Sequence, residues 1–209
     1  MIKKRLFDTF LATAGLLVLS PIFILIIIII FIFMGRPIFF IQVRPGYLGK
    51  PFKLLKFRTM IDIRGKNSNI IDESDRIKPL GRFLRRTSLD ELPELINVIR
   101  GEMSLVGPRP LLMDYLPYYT PKQFKRHNVL PGITGYAQVK GRNALSWEEK
   151  FDLDLWYIEN RNIFLDIKIL IETISVVVSG KGVSAKDHVS MPRFDKKIIS
   201  ESTKKNNLE

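Results

Sequence analysis

The chain has 209 residues, 46% of them hydrophobic, enough for one globular domain or a slightly smaller domain with a membrane segment, and too few for a multidomain assembly. Its 33 Lys and Arg against 21 Asp and Glu leave a net charge of +12, which points to an anionic partner such as phosphate, nucleic acid or an anionic leaflet. With no Cys and two His, a disulfide scaffold, a thiolate zinc site and a thiol nucleophile are excluded, and the metals left are hard, oxygen-liganded ones.

From Leu6 to Met34 the chain is almost wholly apolar, and Ile22 to Met34 is thirteen apolar residues in a row. No small-residue cleavage site follows, so the segment reads as retained. As one straight helix its 29 residues would run roughly 43 Å at ~1.5 Å each, more than the ~30 Å hydrocarbon core. Pro21 interrupts it near the middle. In a helix, proline lacks an N–H and collides with the carbonyl four residues back, here Leu17, so a kink is predicted, with the Ser20 hydroxyl available to a freed backbone group. Lys3, Lys4 and Arg5 precede the segment, and Arg36, Arg44, Lys50, Lys53, Lys56 and Arg58 follow it. Both flanks therefore read as cytoplasmic, which suits a helix that enters one leaflet and returns better than a tilted, kinked span, the alternative on these arguments.

Further along, Ile38–Val43 and Phe52–Phe57 are short apolar runs separated by a stretch with two Gly and a Pro, the pattern of a β-hairpin. Residues 62–79 are polar and read as a loop or short helix. Three capping boxes then announce helices: Ser88 with Glu91, Thr120 with Gln123, and Ser146 with Glu149. After Asp166, the polar residues Lys168, Glu172, Ser175 and Ser179 oppose Ile167, Leu170, Ile171, Ile174, Val177 and Val178, an amphipathic helix that Gly180 should stop. Its apolar side could face a core or lie on a bilayer. Residues 195–209 have little to bury and read as a disordered tail.

The stretch Arg85 to Glu94 should place Asp90 and Glu91 in the first turn of a helix that buries Leu89, Leu92, Ile96 and Ile99. There the helix dipole would favour an ionised Asp90, a good oxygen ligand for Mg²⁺, although first-turn acids are also common helix stabilisers. Gly107-Pro108-Arg109-Pro110 and Gly141-Arg142-Asn143 hold arginines in turns, an arrangement suited to bidentate phosphate binding. Pro131-Gly132-Ile133-Thr134-Gly135 is a further turn-rich stretch that would allow backbone to approach a ligand. Asp152-Leu153-Asp154 resembles the metal motif of a nucleotide-sugar glycosyltransferase, but its two acids should point to different faces of the helix begun at Ser146.

Taken together, Lys56-Phe57-Arg58-Thr59-Met60, Ser88-Leu89-Asp90-Glu91-Leu92-Pro93, Asn97-Val98, Met103-Ser104, Gly107-Pro108-Arg109-Pro110, residues 131–135 and Gly141-Arg142 resemble the bacterial sugar transferase family. Its members are the monotopic polyprenyl-phosphate phosphoglycosyl transferases, and the chain resembles the minimal, single-domain PglC-like enzymes among them. The likeness runs from the basic N-terminus to about Phe194, including Ser20-Pro21 at the membrane break, Gly182-Val183-Ser184 and His188-Val189. It implies an α+β, mainly helical fold with an N-terminal re-entrant membrane helix (1–36), a small β-hairpin and amphipathic interfacial helices in a cytosolic catalytic domain (37–194).

The same resemblance implies transfer of a phospho-sugar from a UDP-sugar to polyprenyl (undecaprenyl) phosphate with release of UMP and a requirement for Mg²⁺. The catalytic dyad maps onto Asp90 and Glu91. Arg85, Arg109 and Arg142 map onto phosphate-binding arginines, with Lys56 and Arg58 as further substrate-binding candidates. The expected setting is monotopic, on the cytoplasmic face of a bacterial inner membrane. Membrane lipid and other enzymes of one glycan pathway would be partners, and nucleic acid would not. A basic membrane-anchored scaffold is the non-enzymatic alternative, but it would not need the Asp-Glu pair.

Overall fold

Proline divides the apolar segment in two. The computed structural model describes residues 2–61, 76–141, 144–179 and 194, and in it helix α1 (Ile2–Val18) and helix α2 (Ser20–Met34) meet at 62°. Ser20 Oγ donates to the Leu17 carbonyl at 2.7 Å, the group that proline leaves without an N–H partner. Among the described residues no single helix is long and apolar enough to cross a membrane, although the bent pair passes the same test together. Arg142, the stop at Gly180, the motifs at 182–184 and 188–189, the tail and most of the 62–79 loop lie outside the described residues.

Both ends of the bent pair are tied to the rest of the chain. At the start of α1, Lys4 Nζ reaches Asp166 at 2.7 Å and Asp8 at 3.4 Å, while Ser104 Oγ donates to Asp8 at 2.7 Å. Arg5 donates to the carbonyls of Val98 and, at 2.8 Å, Ile99. Past the end of α2, the Arg58 guanidinium gathers the carbonyls of Met34, Gly35 and Arg36. Two arginines thus satisfy carbonyls that helix ends leave unpaired.

Strands β1 (Phe39–Pro45) and β2 (Pro51–Phe57) form the antiparallel hairpin, with Phe39 opposite Phe57 and Val43 opposite Lys53. Its turn passes through left-handed backbone at Leu48 and Gly49, and Gly46 bonds Lys50 across it. Phe57, Ile26, Ile30 and Leu84 form one buried cluster, with Phe23 and Phe39 packed on it, so α2 and the hairpin share a core. Each such side chain contributes about 1.5–3 kcal/mol on burial.

A second sheet has no counterpart in the hydropathy pattern. Strands β3 (Ser104–Val106) and β4 (Gly132–Thr134) pair in parallel, Ser104 with Gly132 and Val106 with Thr134. A Cβ on Gly132 would lie 2.1 Å from Gly107 N, and one on Gly135 would lie 2.2 Å from Gly107 O. The glycines of residues 131–135 therefore admit another backbone segment, where the turn-rich sequence reads as an approach to a ligand.

The remaining helices are α3 (Pro79–Arg86), α4 (Glu94–Arg100), α5 (Pro121–Phe124), α6 (Tyr136–Lys140), α7 (Trp147–Asn160) and α8 (Ile163–Ser179). The boxes at Thr120 and Ser146 form in full. In α8 the inward residues are Asp166, Ile169, Leu170 and Thr173, while Phe164, Ile167, Ile171 and Ile174 are exposed. Half of the anticipated apolar side thus faces outward. Ala12 of α1, Phe52, Val98, Met103, Tyr157 and Ile169 belong to the central core.

Candidate active site

Asp90 and Glu91 share one 3-10 turn, Leu89–Glu91, entered through Ser88 with φ at 56°. The helix proper begins at Glu94, and its buried face is Glu94, Asn97 and Val98. This corrects two expectations. The carboxylates do not sit in an α-helical first turn, and Ser88 caps nothing, because the Glu91 carboxylate is engaged elsewhere: Lys56 Nζ lies 2.7 Å and Arg109 Nη2 lies 2.5 Å from the same Glu91 oxygen.

Around that oxygen the charges are ordered by distance and burial. Lys56 also reaches Glu94 at 3.1 Å, bridging two carboxylates one helical turn apart. Burial alone would raise Glu91, but the Arg109 and Lys56 cations outweigh it and hold Glu91 well below the usual carboxylate range. Glu94, 2% exposed, goes the other way: burial pushes it up to about 7 against the pull of Lys56. The Glu91 carboxylate itself holds Arg109 above the ordinary guanidinium value. Glu91 is therefore a fixed anion that immobilises two cations, not a group that exchanges a proton near neutrality.

Asp90 is 8% exposed, and no hydrogen bond ties its carboxylate to the described protein. Burial, then the neighbouring Glu91, raises it to about 6, opposed by Lys56, Arg109 and Arg85. The shift is opposite to that expected from a helix dipole, yet Asp90 remains mostly ionised at pH 7. A buried, unbonded, charged carboxylate beside three cations is a poor structural element, and perturbed groups of this kind concentrate at functional sites.

The other predicted residues divide. Arg85 Nε donates to Thr59 Oγ1 at 3.0 Å and lines a cavity of about 490 Å³, as do Arg109 and Glu91. Arg58 is buried under the end of α2 with its donors on backbone carbonyls, so the structure gives it an anchoring task away from the carboxylates. Arg142 lies outside the described residues. The two acids of the Asp152-Leu153-Asp154 stretch diverge as anticipated: Asp154 pairs with the buried Arg126 at 2.6 Å, and Asp152 meets Lys122 at the surface.

Sequence reasoning missed several cavity residues, among them an aromatic–cation pair. Trp147 and Lys150 stand one turn apart at the start of α7, with the ammonium 5.1 Å from the indole centroid. Burial, then the Arg109 charge, lowers Lys150 to about 8. The Ser146 box was the available signal, since it fixes which residues open that helix. Elsewhere the cavity is walled by Leu92, Leu95, Ile133, Ala137 and Val177, and it reaches Gly15 and Leu19 at the bend of the apolar pair.

Among the described residues no three His, Asp or Glu side chains converge as a metal cage. Mg²⁺ takes one or two carboxylates and completes its shell with water and substrate phosphate, and the unbonded Asp90 carboxylate fits that use.

A family model described as bacterial sugar transferase matches residues 1–180. The chain belongs to the bacterial sugar transferase family. It is similar to an uncharacterized sugar transferase, EpsL, of Bacillus subtilis, 53% identical over 194 residues that cover 93% of this chain and 96% of that one. Exopolysaccharide production protein ExoY of Rhizobium meliloti is 37% identical, with 86% and 87% covered. The UDP-glucose:undecaprenyl-phosphate glucose-1-phosphate transferase of Escherichia coli is 39% identical over 82% of this chain, which matches 39% of that longer protein.

Proposed function

We propose that this bacterial sugar transferase moves a sugar 1-phosphate from a UDP-sugar to polyprenyl phosphate, releasing UMP, as a first membrane step in glycoconjugate synthesis. The observation that carries the proposal is the unbonded Asp90 carboxylate beside the Lys56–Glu91–Arg109 cluster, in a chain 39% identical to a relative named for that transfer.

An Asp90 oxygen attacks the β-phosphorus of the donor; the bond to the bridging oxygen breaks, and UMP leaves with that oxygen. The aspartyl phospho-sugar is then attacked at the same phosphorus by an acceptor phosphate oxygen, which forms the polyprenyl-diphosphate sugar and frees the carboxylate. One hard displacement becomes two easier ones. Arg109, oriented by Glu91, and Arg85 offset the charge of an anion approaching a diphosphate. Mg²⁺, with Asp90 as its protein ligand, would supply further neutralisation of the phosphate oxygens.

Placement follows from the same features. Both ends of the α1–α2 pair are held by one body, and the exposed Leu25, Ile28, Ile32 and Phe33 of α2 can enter one leaflet. Ile41 and Val43, on one face of β1, and the outward stripe of α8 can rest on the headgroups. This supports a monotopic enzyme on the cytoplasmic face of the bacterial inner membrane, with the cavity opening beside the bend where an acceptor lipid would arrive.

The test is to incubate the full chain with a panel of UDP-sugars, with and without polyprenyl phosphate. UMP released stoichiometrically without acceptor, together with a phospho-sugar mass on the Asp90 peptide, is expected. Release of UDP, or of UMP only when both substrates are present and with no labelled enzyme, overturns the proposal.

A further inference from the structure

We propose that the buried Arg126–Asp154 pair is a positioning device for Arg109, holding the main chain of that arginine while Glu91 holds its side chain. This rests on the phosphoglycosyl-transfer function proposed above. Arg126 lies in the 3-10 turn Lys125–His127 and Asp154 in the middle of α7, and each side chain is 3% exposed. One Asp154 oxygen accepts from Arg126 Nε at 3.0 Å and from Nη2 at 2.6 Å. The rings of Tyr119 and Phe151 flank the guanidinium, with centroids 5.9 and 5.7 Å away. A buried ion pair returns little of its desolvation cost as stability, so stability alone is a weak account of this one.

Its task lies in a further contact. Arg126 Nη2 also donates to the Arg109 carbonyl at 2.9 Å. Because Pro110 has no N–H, that carbonyl is the single hydrogen-bonding group of the Arg109–Pro110 peptide, and only a bond to it can fix the peptide plane in this way. On the other side of Arg109, Gly107 N donates to the Thr134 carbonyl at 2.9 Å and Gly132 N to the Pro108 carbonyl at 3.0 Å, so β4 anchors the turn as far as Pro108. Arg126 takes over where β4 stops. Arg109 thus lines the cavity with its backbone set by Arg126 and its Nη2 set by Glu91 at 2.5 Å. A guanidinium held at both ends loses less freedom on meeting a phosphate oxygen, and an anion attacking a diphosphate needs its cations in place beforehand. Arg126 also lines the cavity, but its Nε and Nη2 are committed to Asp154 and Arg109, and its Nη1 reaches the Tyr119 hydroxyl at 3.5 Å. It therefore acts through Arg109.

The experiment is a double-mutant cycle on the full chain in detergent, read as kcat/KM for UMP release. Arg126→Met with Asp154→Leu removes both charges and strands neither, so the melting temperature should stay near that of wild type. With Arg109 present, the paired change should lower kcat/KM roughly ten- to hundredfold. In an Arg109→Ala background it should cost less than about twofold, because the side chain that it positions is gone. A loss of the same factor in both backgrounds marks a general packing effect and overturns the inference, as does full activity of the paired variant. If the paired variant melts early, Arg126→Lys takes its place in the cycle with the same expectations. Its single ammonium keeps a charge beside Asp154 but does not reproduce the planar fork that also reaches the carbonyl. Wild type that releases no UMP from any UDP-sugar overturns the transfer reaction and the inference with it, whereas UMP release with equal factors overturns the inference alone.

Discussion

Arg109 Nη2 stands 2.5 Å from Glu91 Oε1, close enough that the carboxylate decides where the guanidinium points. Glu91→Gln keeps the size and removes the charge. Lys56 and Arg109 then lose their shared anion, and kcat/KM for UMP release should fall roughly a hundredfold with the fold intact. Full activity in Glu91→Gln would show that the ion pairs do not orient Arg109.

Asp90→Asn should abolish turnover, by roughly a thousandfold or more, without loss of stability. The sign follows from the raised carboxyl: above pH 6 the folded protein carries a charge that the unfolded chain carries more easily. Removing it relieves up to about 3 kcal/mol, so the melting temperature at pH 7.5 should stay level or rise. A marked fall would mean that Asp90 is structural.

His127 contributes a pH dependence of its own. Its Nδ1 meets the Gly46 carbonyl at 3.2 Å, the ring is buried between Tyr119 and Phe124, and burial, then the Arg126 charge, lowers it to about 4. Below about pH 6.5 the unfolded chain takes up a proton that the folded ring refuses, so stability is lost as pH falls from 6.5 toward 4, by up to about 3 kcal/mol. His127→Asn should lack this component. The difference in melting temperature between the two proteins should therefore shrink or reverse between pH 7.5 and 5, and a constant difference would refute it.

The bend at Ser20-Pro21 can be tested by labelling, because the chain contains no cysteine. A single Lys3→Cys should be closed to a membrane-impermeant maleimide in intact cells and open after lysis. Adding Pro21→Leu restores an N–H for the Leu17 carbonyl and lets the two helices straighten to a length that spans a bilayer. Part of the population should then label from outside. Outside labelling of Lys3→Cys alone would refute the re-entrant arrangement.

Features decided within a few residues were legible in the sequence. The hairpin, the kink with its Ser20 hydroxyl, and the boxes at Thr120 and Ser146 depend on neighbours in the chain. What escaped was decided at long range. Ser88 and Glu91 have the spacing of a box, but a lysine 35 residues back and an arginine 18 residues ahead claim the glutamate. Arg58 carries the same residue type as Arg109 and is taken by the end of α2. The β3–β4 pair joins segments too short to announce themselves, and Glu94 reads as an ordinary helix-opening acid until Lys56 is placed beside it. The Asp90–Glu91 pair was legible as a motif; its polarity, one member free and one bound, was not.

The Arg58 clamp carries a mechanical consequence. Arg58 follows Phe57, where β2 ends, and Lys56 of that same strand grips Glu91. A single residue, wedged among the aromatic rings of Phe23 and Phe39, separates the grip on α2 from the grip on the carboxylate. There is no slack in that linkage. If α2 lies in a bilayer as proposed, a change in bilayer thickness or headgroup crowding that tips it would be felt at the Lys56 ammonium against its carboxylates, and turnover would then respond to the physical state of the lipid.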